Sequence, residues 1–507
     1  MRARVLAALG LVLVYLYAFP YFAALKSASE LPRIFLTQEI VDKGTFRIDR
    51  RIPEMGSTFD VSTTPDGHKY SNKAPGMSFM AVPVHVLLKG AHGLLGDRPS
   101  LREVTWAFRA LAVTIPCLLF LPVFVRVVRR FAPHPAPQRA TLVAYALGSM
   151  ALPYAIFFIS HSVAAAAAGG AFACAVLLVR GEVRRPKVAA MSCGFLAGMS
   201  VLVDYQSVLA ASAVGVFLLV RSRKRLADAT WALLGTLPPA AALLLYHQAC
   251  FGSPWKTGYS FAADPLHKHG FLGIIGPNRA AFAQALVDPD NGLLLLMPWT
   301  LLSIVGAVAI LRSREARARV GAEAVTCIVV VLAYLLFIGS LEPEFGRGGW
   351  GVGPRYIGVA LPFLAWLCAA GLQAADGHVG WRVLGHGAVL VGAIIYVATA
   401  TTYPHWPTSF KNPLFEVTFR MLGEGLAPYS LATLFGASGF LSLLPVYLVA
   451  AGLAVGLLSW RERKRLATTA AAALVTAVYL FAYSQFPRTG EAGERPWQFI
   501  RATWEPR

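Results

Sequence analysis

The chain of 507 residues is poor in charge. Only 14% of it is Asp, Glu, Lys or Arg, against about a quarter of an average soluble domain. It is poorest in acid, with 26 Asp and Glu against 46 Lys and Arg, for a formal net charge of +20. Its six cysteines form neither a disulfide framework nor a zinc spacing. No Gly-x-x-x-x-Gly-Lys-Ser/Thr loop occurs, so an ATP-driven activity has no support. There is no glycine period, no internal repeat and no low-complexity linker. What the chain has is hydrophobicity: 56% of its residues are hydrophobic and its mean hydropathy is +0.57. So few charges cannot cover a soluble globule of that composition, and a disordered chain is excluded by the same figures. The sequence reads as an all-α polytopic membrane protein.

A spanning helix needs about 20 mainly apolar residues. Thirteen runs approach that, over 5–25, 105–125, 140–158, 162–179, 188–203, 205–220, 229–247, 293–311, 321–340, 356–375, 383–402, 439–459 and 466–484. Between them lie compact basic clusters: Arg126, Arg129 and Arg130; Arg180, Arg184, Arg185 and Lys187; Arg221, Arg223, Lys224 and Arg225; Arg312, Arg314, Arg317 and Arg319; Arg461, Arg463, Lys464 and Arg465. With Arg2, Arg4, Arg139 and Arg382 they hold half of the 46 basic residues but only about six of the 26 acidic ones. Short basic loops mark the cytoplasmic side. The excess charge therefore sets topology, and no nucleic-acid partner is implied. The N-terminus is expected in the cytoplasm, behind an uncleaved first helix. The C-terminal tail, 485–507, is expected outside. Residues 1–484 are expected to form a single transmembrane domain. The apolar stretch Met77–Leu95 is read as a helix at the outer interface, because one more crossing there would flip every later cluster.

The outward loops, 26–104, 248–292, 341–355 and 403–438, carry the polar chemistry. In the first, Pro65-Asp66-Gly67 reads as a tight turn, between Thr58-Phe59-Asp60 and Tyr70-Ser71-Asn72-Lys73-Ala74-Pro75-Gly76. Lys73 stands just before a helix N-terminus, an arrangement suited to a phosphate; a snorkelling anchor is the alternative. Asp60 can act as a base or cap the loop and pair with Arg50 or Arg51. In the glycine-rich third loop, Arg355 can offer a bidentate contact to phosphate or pair with Glu344 or lipid headgroups. His161 and Asp204 fall at neighbouring outer turns, as binding groups or as structural hydrogen-bonding and capping groups. Asp288-Pro289-Asp290 matches an Asp-x-Asp metal pattern but equally a turn, since Asn291-Gly292 follows.

Leu36–Asp49, Asp60 and Tyr70–Gly76 together resemble the first outer loop of bacterial GT-C membrane glycosyltransferases. Gly349-Trp350-Gly351-Val352-Gly353-Pro354-Arg355-Tyr356 before a helix with Pro362 does likewise. That superfamily includes protein O-mannosyltransferases and the lipid A aminoarabinose transferase. The resemblance implies a GT-C-like fold of about 13 transmembrane helices, with interfacial helices in the long first loop. It also implies a bacterial inner-membrane enzyme that moves a sugar from a polyprenyl-phosphate donor to a glycan, lipid or protein acceptor on the extracytoplasmic side. Many members carry an Asp-Glu pair after the first helix; here the place reads Ser29-Glu30, without the aspartate. The expected base is therefore Asp60, with Glu30 and Asp66 as substitutes. Lys73, Tyr70, His161, Arg355 and Tyr356 are the expected substrate-binding residues. The scheme asks for no cofactor, and a divalent metal, though compatible, is not indicated. A lipid-linked glycan flippase and a non-catalytic envelope scaffold are the rival readings; a flippase should line a midplane path with ionisable residues.

Overall fold

The computed structural model describes residues 2–21, 29–55, 60–343, 349–459 and 463–503. It is nearly all helical, with one two-stranded sheet. Among the described residues, nine helices are long and apolar enough to cross a membrane, and Val5–Leu16, Tyr205–Arg221, Pro298–Arg312 and Leu444–Ser459 are shorter apolar helices. The chain is a multi-pass membrane protein. Its basic residues cluster at helix ends and in short connections, as in 180–187 and 221–225. Arg461 and the Thr58-Phe59 step lie outside the described residues.

The chain divides into two units: Met1–Tyr21, Leu121–Pro153 and Pro277–Arg507 form one, Phe22–Phe120 and Tyr154–Gly276 the other. In the second unit the helices Pro186–Val203 and Arg225–Phe251 cross at glycine. A Cβ on Gly194 would collide with the Ala232 carbonyl, and one on Gly235 with the Met191 carbonyl. Small residues let helix backbones approach in this way inside a bilayer. The start of helix Gly76–Leu95 docks at the end of Pro186–Val203, because a Cβ on Gly76 would stand 2.6 Å from the Leu202 carbonyl. That contact brings the segment after Tyr70 towards Asp204.

In the first unit, Pro298–Arg312 and Arg355–Ala375 cross by the same device, through Gly306 and Gly371. Three expected apolar runs are cut short or broken there, among them 293–311, which leaves the helix at Met297. The run 5–25 is helical only to Leu16, since Phe19 N–H donates to Tyr429 O and Leu431 N–H to Tyr17 O, an extended pairing that a helix cannot offer. The run 140–158 is broken between Ala146 and Ala151, where the Gly148 carbonyl accepts the Trp299 indole at 2.6 Å. Asp288-Pro289-Asp290 forms a turn, with Asn291 and Gly292 N–H donating to Asp288 O. The C-terminal helix Glu494–Thr503 is held by Arg420, whose guanidinium meets Glu494 at 2.8 Å and lies 4.3 Å from the ring of buried Trp497. A cavity of about 720 Å³, lined by residues such as Leu390, Val397, Ala454 and Ala473, opens among the helices of this unit.

Gly235→Ala and Gly306→Ala each force a methyl group against a backbone carbonyl. Each is expected to cost about 1–3 kcal/mol, read as a lower thermal midpoint of the purified protein. Gly456→Ala, with nothing within 4 Å, should leave the midpoint in place.

Candidate functional site

The site is built on a hairpin in the second unit. Strands β1 (Val61–Thr63) and β2 (Lys69–Ser71) pair antiparallel, Val61 opposite Ser71 and Thr63 opposite Lys69. The turn closes through Gly67, at φ +82°, and Thr64, whose hydroxyl donates to Asp66. That hydrogen bond holds the exposed Asp66 carboxyl below the usual range. Asp66 is thus a turn residue. At the other, open end of the hairpin the register places Asp60 beside Asn72, with Asn72 N–H donating to Asp60 O at 3.4 Å. Lys73 follows, and its Nζ lies 2.7 Å from Asp60 Oδ1. The side chains of Lys73 and Asp60 are 13% and 20% exposed.

The second long outer loop braces this end. Ser62 donates to Gly258 O at 2.6 Å, and Ala263 N–H donates to Val61 O. A Cβ on Gly258 would press on the Asn72 backbone, so only glycine passes there. The next residue, Tyr259, sets its ring 5.7 Å from Lys73 Nζ and 4.6 Å from the His267 ring. Tyr205 meets Tyr259 edge-on at 6.0 Å. Burial lowers the His267 pKa, with the charge of Lys73 adding to the effect and that of Asp60 opposing it. Tyr70 is buried inside β2, its ring 5.8 Å from Phe251, and burial raises its pKa.

A chain of polar contacts leads from Asp60 through the residues before helix Leu31–Lys43. Ser29 Oγ donates to Asp60 Oδ2 at 3.3 Å. Arg33 donates to Ser29 O and, at 3.4 Å, to Ser160 Oγ. Ser160 donates to Asp204 Oδ2 at 3.2 Å, which also meets His161 Nδ1 at 2.9 Å and Gln206 Nε2. Burial works to raise the Asp204 carboxyl, but the bonds from His161 and Gln206 and the charges of His161 and Arg33 outweigh it. Asp204 is held below the ordinary range. Glu30 faces elsewhere. It takes Arg109 in a bidentate pair at 2.8 and 2.6 Å and accepts the Phe158 N–H at 2.7 Å. Its side chain is 3% exposed and that of Arg109 9%.

Asp60, Lys73 and His161 thus belong to one polar network, directly or through Ser29, Arg33 and Asp204. Arg33, Tyr259 and His267 were not expected. Arg33 sits in an apolar helix-start where it reads as an anchor, and Tyr259 and His267 come from another loop. Arg355 and Tyr356 belong to the first unit. They open the turn that starts helix Leu361–Ala375, and the Arg355 guanidinium lies 5.5 Å from the Tyr356 ring. Gly353 precedes them at φ +71°, where a Cβ would stand 3.0 Å from the Tyr396 hydroxyl. Glu344 lies outside the described residues. Among the described residues no three His, Cys, Asp or Glu side chains converge as a metal site.

No protein-family model matches the chain, nor does any curated protein. Solved structures do. ArnT from Cupriavidus metallidurans, bound to undecaprenyl phosphate, superposes with a TM-score of 0.54 at 14% identity, over 98% of this chain and 79% of that one. The same protein in the apo state gives 0.51 at 15% identity, over 97% and 78%. The chain therefore shares the fold of ArnT.

Removing one partner of a buried ion pair leaves the other charge uncompensated, at about 3–5 kcal/mol. Glu30→Gln, which abandons Arg109, should therefore lower the thermal midpoint sharply. Asp66→Asn, at the exposed turn, should shift it little.

Proposed function

We propose that the chain is a glycosyltransferase of the bacterial inner membrane. It takes a sugar from a polyprenyl-phosphate donor and passes it to an acceptor at the extracytoplasmic face. The observation that carries this reading is the Asp60–Lys73 pair, mostly buried at the open end of the hairpin, in a chain with the fold of a protein that binds undecaprenyl phosphate. A base and an anion-binding cation side by side suit transfer from a lipid phosphate. Helix Gly76–Leu95 is read as lying at the outer interface. Leu87, Leu94 and Leu95 are exposed on it, and its Lys89 reaches Asp42 at 2.5 Å.

In the proposed reaction Lys73 holds the donor phosphate and stabilises the charge that grows on it as the sugar leaves. Asp60 takes the acceptor's proton as its oxygen or nitrogen attacks the anomeric carbon. The bond from that carbon to the phosphate oxygen breaks, and the electron pair stays on the phosphate. A phosphate is already a good leaving group, so the protein mainly supplies position and charge. Glu30 is a poor base, because three hydrogen bonds already occupy its carboxylate. Asp66, with its lowered pKa at an exposed turn, is a poor one too. His161, fixed by Asp204, is proposed to help orient the sugar or the acceptor. The parts of Arg355 and Tyr356 are left to substitution.

The test is transfer in proteoliposomes from lipid-linked sugars extracted from the source membranes. Asp60→Asn should cut the turnover rate by about 10²–10⁴-fold, with normal insertion and unchanged helicity. Asp66→Asn should retain near-wild-type transfer. Lys73→Met should raise the donor KM, and the donor KM of Arg355→Met reports whether Arg355 takes part. Transfer by the Asp60→Asn protein at the wild-type rate would remove Asp60 as the base. The lipid-linked and envelope glycans of a deletion strain would name the sugar and the acceptor.

A further inference from the structure

Lys73 already holds an anion. Its ammonium lies 2.7 Å from Asp60 Oδ1, and the Tyr259 ring bounds it on another side at 5.7 Å. An entering phosphate would claim the same ammonium. If both anions stayed, two negative charges would stand a few ångströms apart where little water can screen them, a costly arrangement. One of them has to leave or take up a proton. Asp60 has somewhere to stay, since its other oxygen accepts from Ser29 at 3.3 Å and Ser29 is tied in turn to Arg33. Among the described residues, Tyr259 and His267 of the second outer loop also stand beside the pair, and Asp264 acts on His267.

We propose that Asp60 and the lipid phosphate are alternative partners of Lys73, so that donor binding releases the base and the base later expels the product. The proposal rests on the reading of Lys73 as the phosphate ligand. While the site is empty, the Asp60 carboxylate is engaged by Lys73. A donor phosphodiester, with one negative charge, takes Lys73 and frees the carboxylate where the acceptor arrives. Transfer then moves the acceptor's proton to Asp60, while the lipid phosphate leaves as a monoester that carries a second negative charge near neutral pH. Loss of the proton from Asp60 to water restores its carboxylate. That carboxylate takes Lys73 back and displaces the lipid phosphate. Asp60 is therefore a positioning residue for Lys73 as well as the base.

The probe is undecaprenyl phosphate, bound to the purified full chain in nanodiscs. Lys73→Met should weaken binding by about tenfold or more, and Asp60→Asn should tighten it by about fivefold or more, a coupling of ordinary size between two bound groups. Asp60→Ser is the second variant should the asparagine form fail to insert. Weaker binding by the lysine variant together with tighter binding by the aspartate variant supports the exchange. Weaker binding by the lysine variant, with the aspartate variants unchanged or weaker, overturns the exchange and leaves the phosphate role of Lys73 standing. Unchanged binding by Lys73→Met overturns that role and the exchange together.

Discussion

Charge placed against a bilayer must find its counter-charge, and the five residues Ser29–Arg33 are where this protein meets that requirement. Glu30 takes Arg109 on one side, through two hydrogen bonds and a third from the Phe158 N–H. Arg33 reaches the serines that hold Asp60 and Asp204 on the other. Signs alternate along the second path: Lys73, Asp60, Arg33, Asp204, then His161. Each carboxylate has a cation or a donor on more than one side, which makes partial burial tolerable. Remove one member and its neighbours become the uncompensated charges. The network is thus a structural element in its own right, and it fixes the side chains on which the proposed chemistry rests.

Backbone proximity makes the network reachable. Gly76 lets the start of one helix sit on the end of another, and Gly258 lets the second outer loop press on Asn72. A methyl group at either place would hold apart segments that carry Lys73 and Tyr259. The same economy of bulk governs the helix crossings at Gly194 and Gly235, and in the other unit at Gly306 and Gly371. Inside a bilayer the hydrophobic effect does little to join helices, so closeness of this kind, with the dispersion contacts it allows, has to hold them.

Much of this was legible in the sequence, and the rest was hidden for physical reasons. Apolar runs report where apolar helices form, so helices occur at all thirteen expected runs among the described residues. Runs 5–25 and 140–158 break because distant backbone and indole groups, around Tyr429 and at Trp299, compete for their peptide groups; hydropathy carries no trace of such partners. The turn was legible in Pro65-Asp66-Gly67, but the two short strands that pair across it were not expected of an all-α chain, and it is their register that brings Asp60 and Lys73 together. Glu30 and Arg109 are 79 positions apart, and only the fold makes them a pair. Arg33 in its apolar helix and Tyr259 in another loop gave no local signal for the same reason.

The bracing of the hairpin bears on how such a site can work at all. A two-stranded hairpin alone is at best marginally stable in water, and a base on a mobile loop would lose most of its advantage, which lies in position. Here the strand β1 is engaged on both sides: β2 pairs with it, while Gly258 and Ala263 of the second loop take Ser62 Oγ and Val61 O. Asp60 immediately precedes that doubly held strand, and Lys73 follows its partner. The strand ends are therefore the fixed frame, and the long Lys73 side chain is the part with freedom to move. A flexible cation between a fixed carboxylate and an incoming phosphate can change partners without any rearrangement of the backbone. That division of labour, rigid acid and mobile lysine, is what the exchange of partners at Lys73 requires.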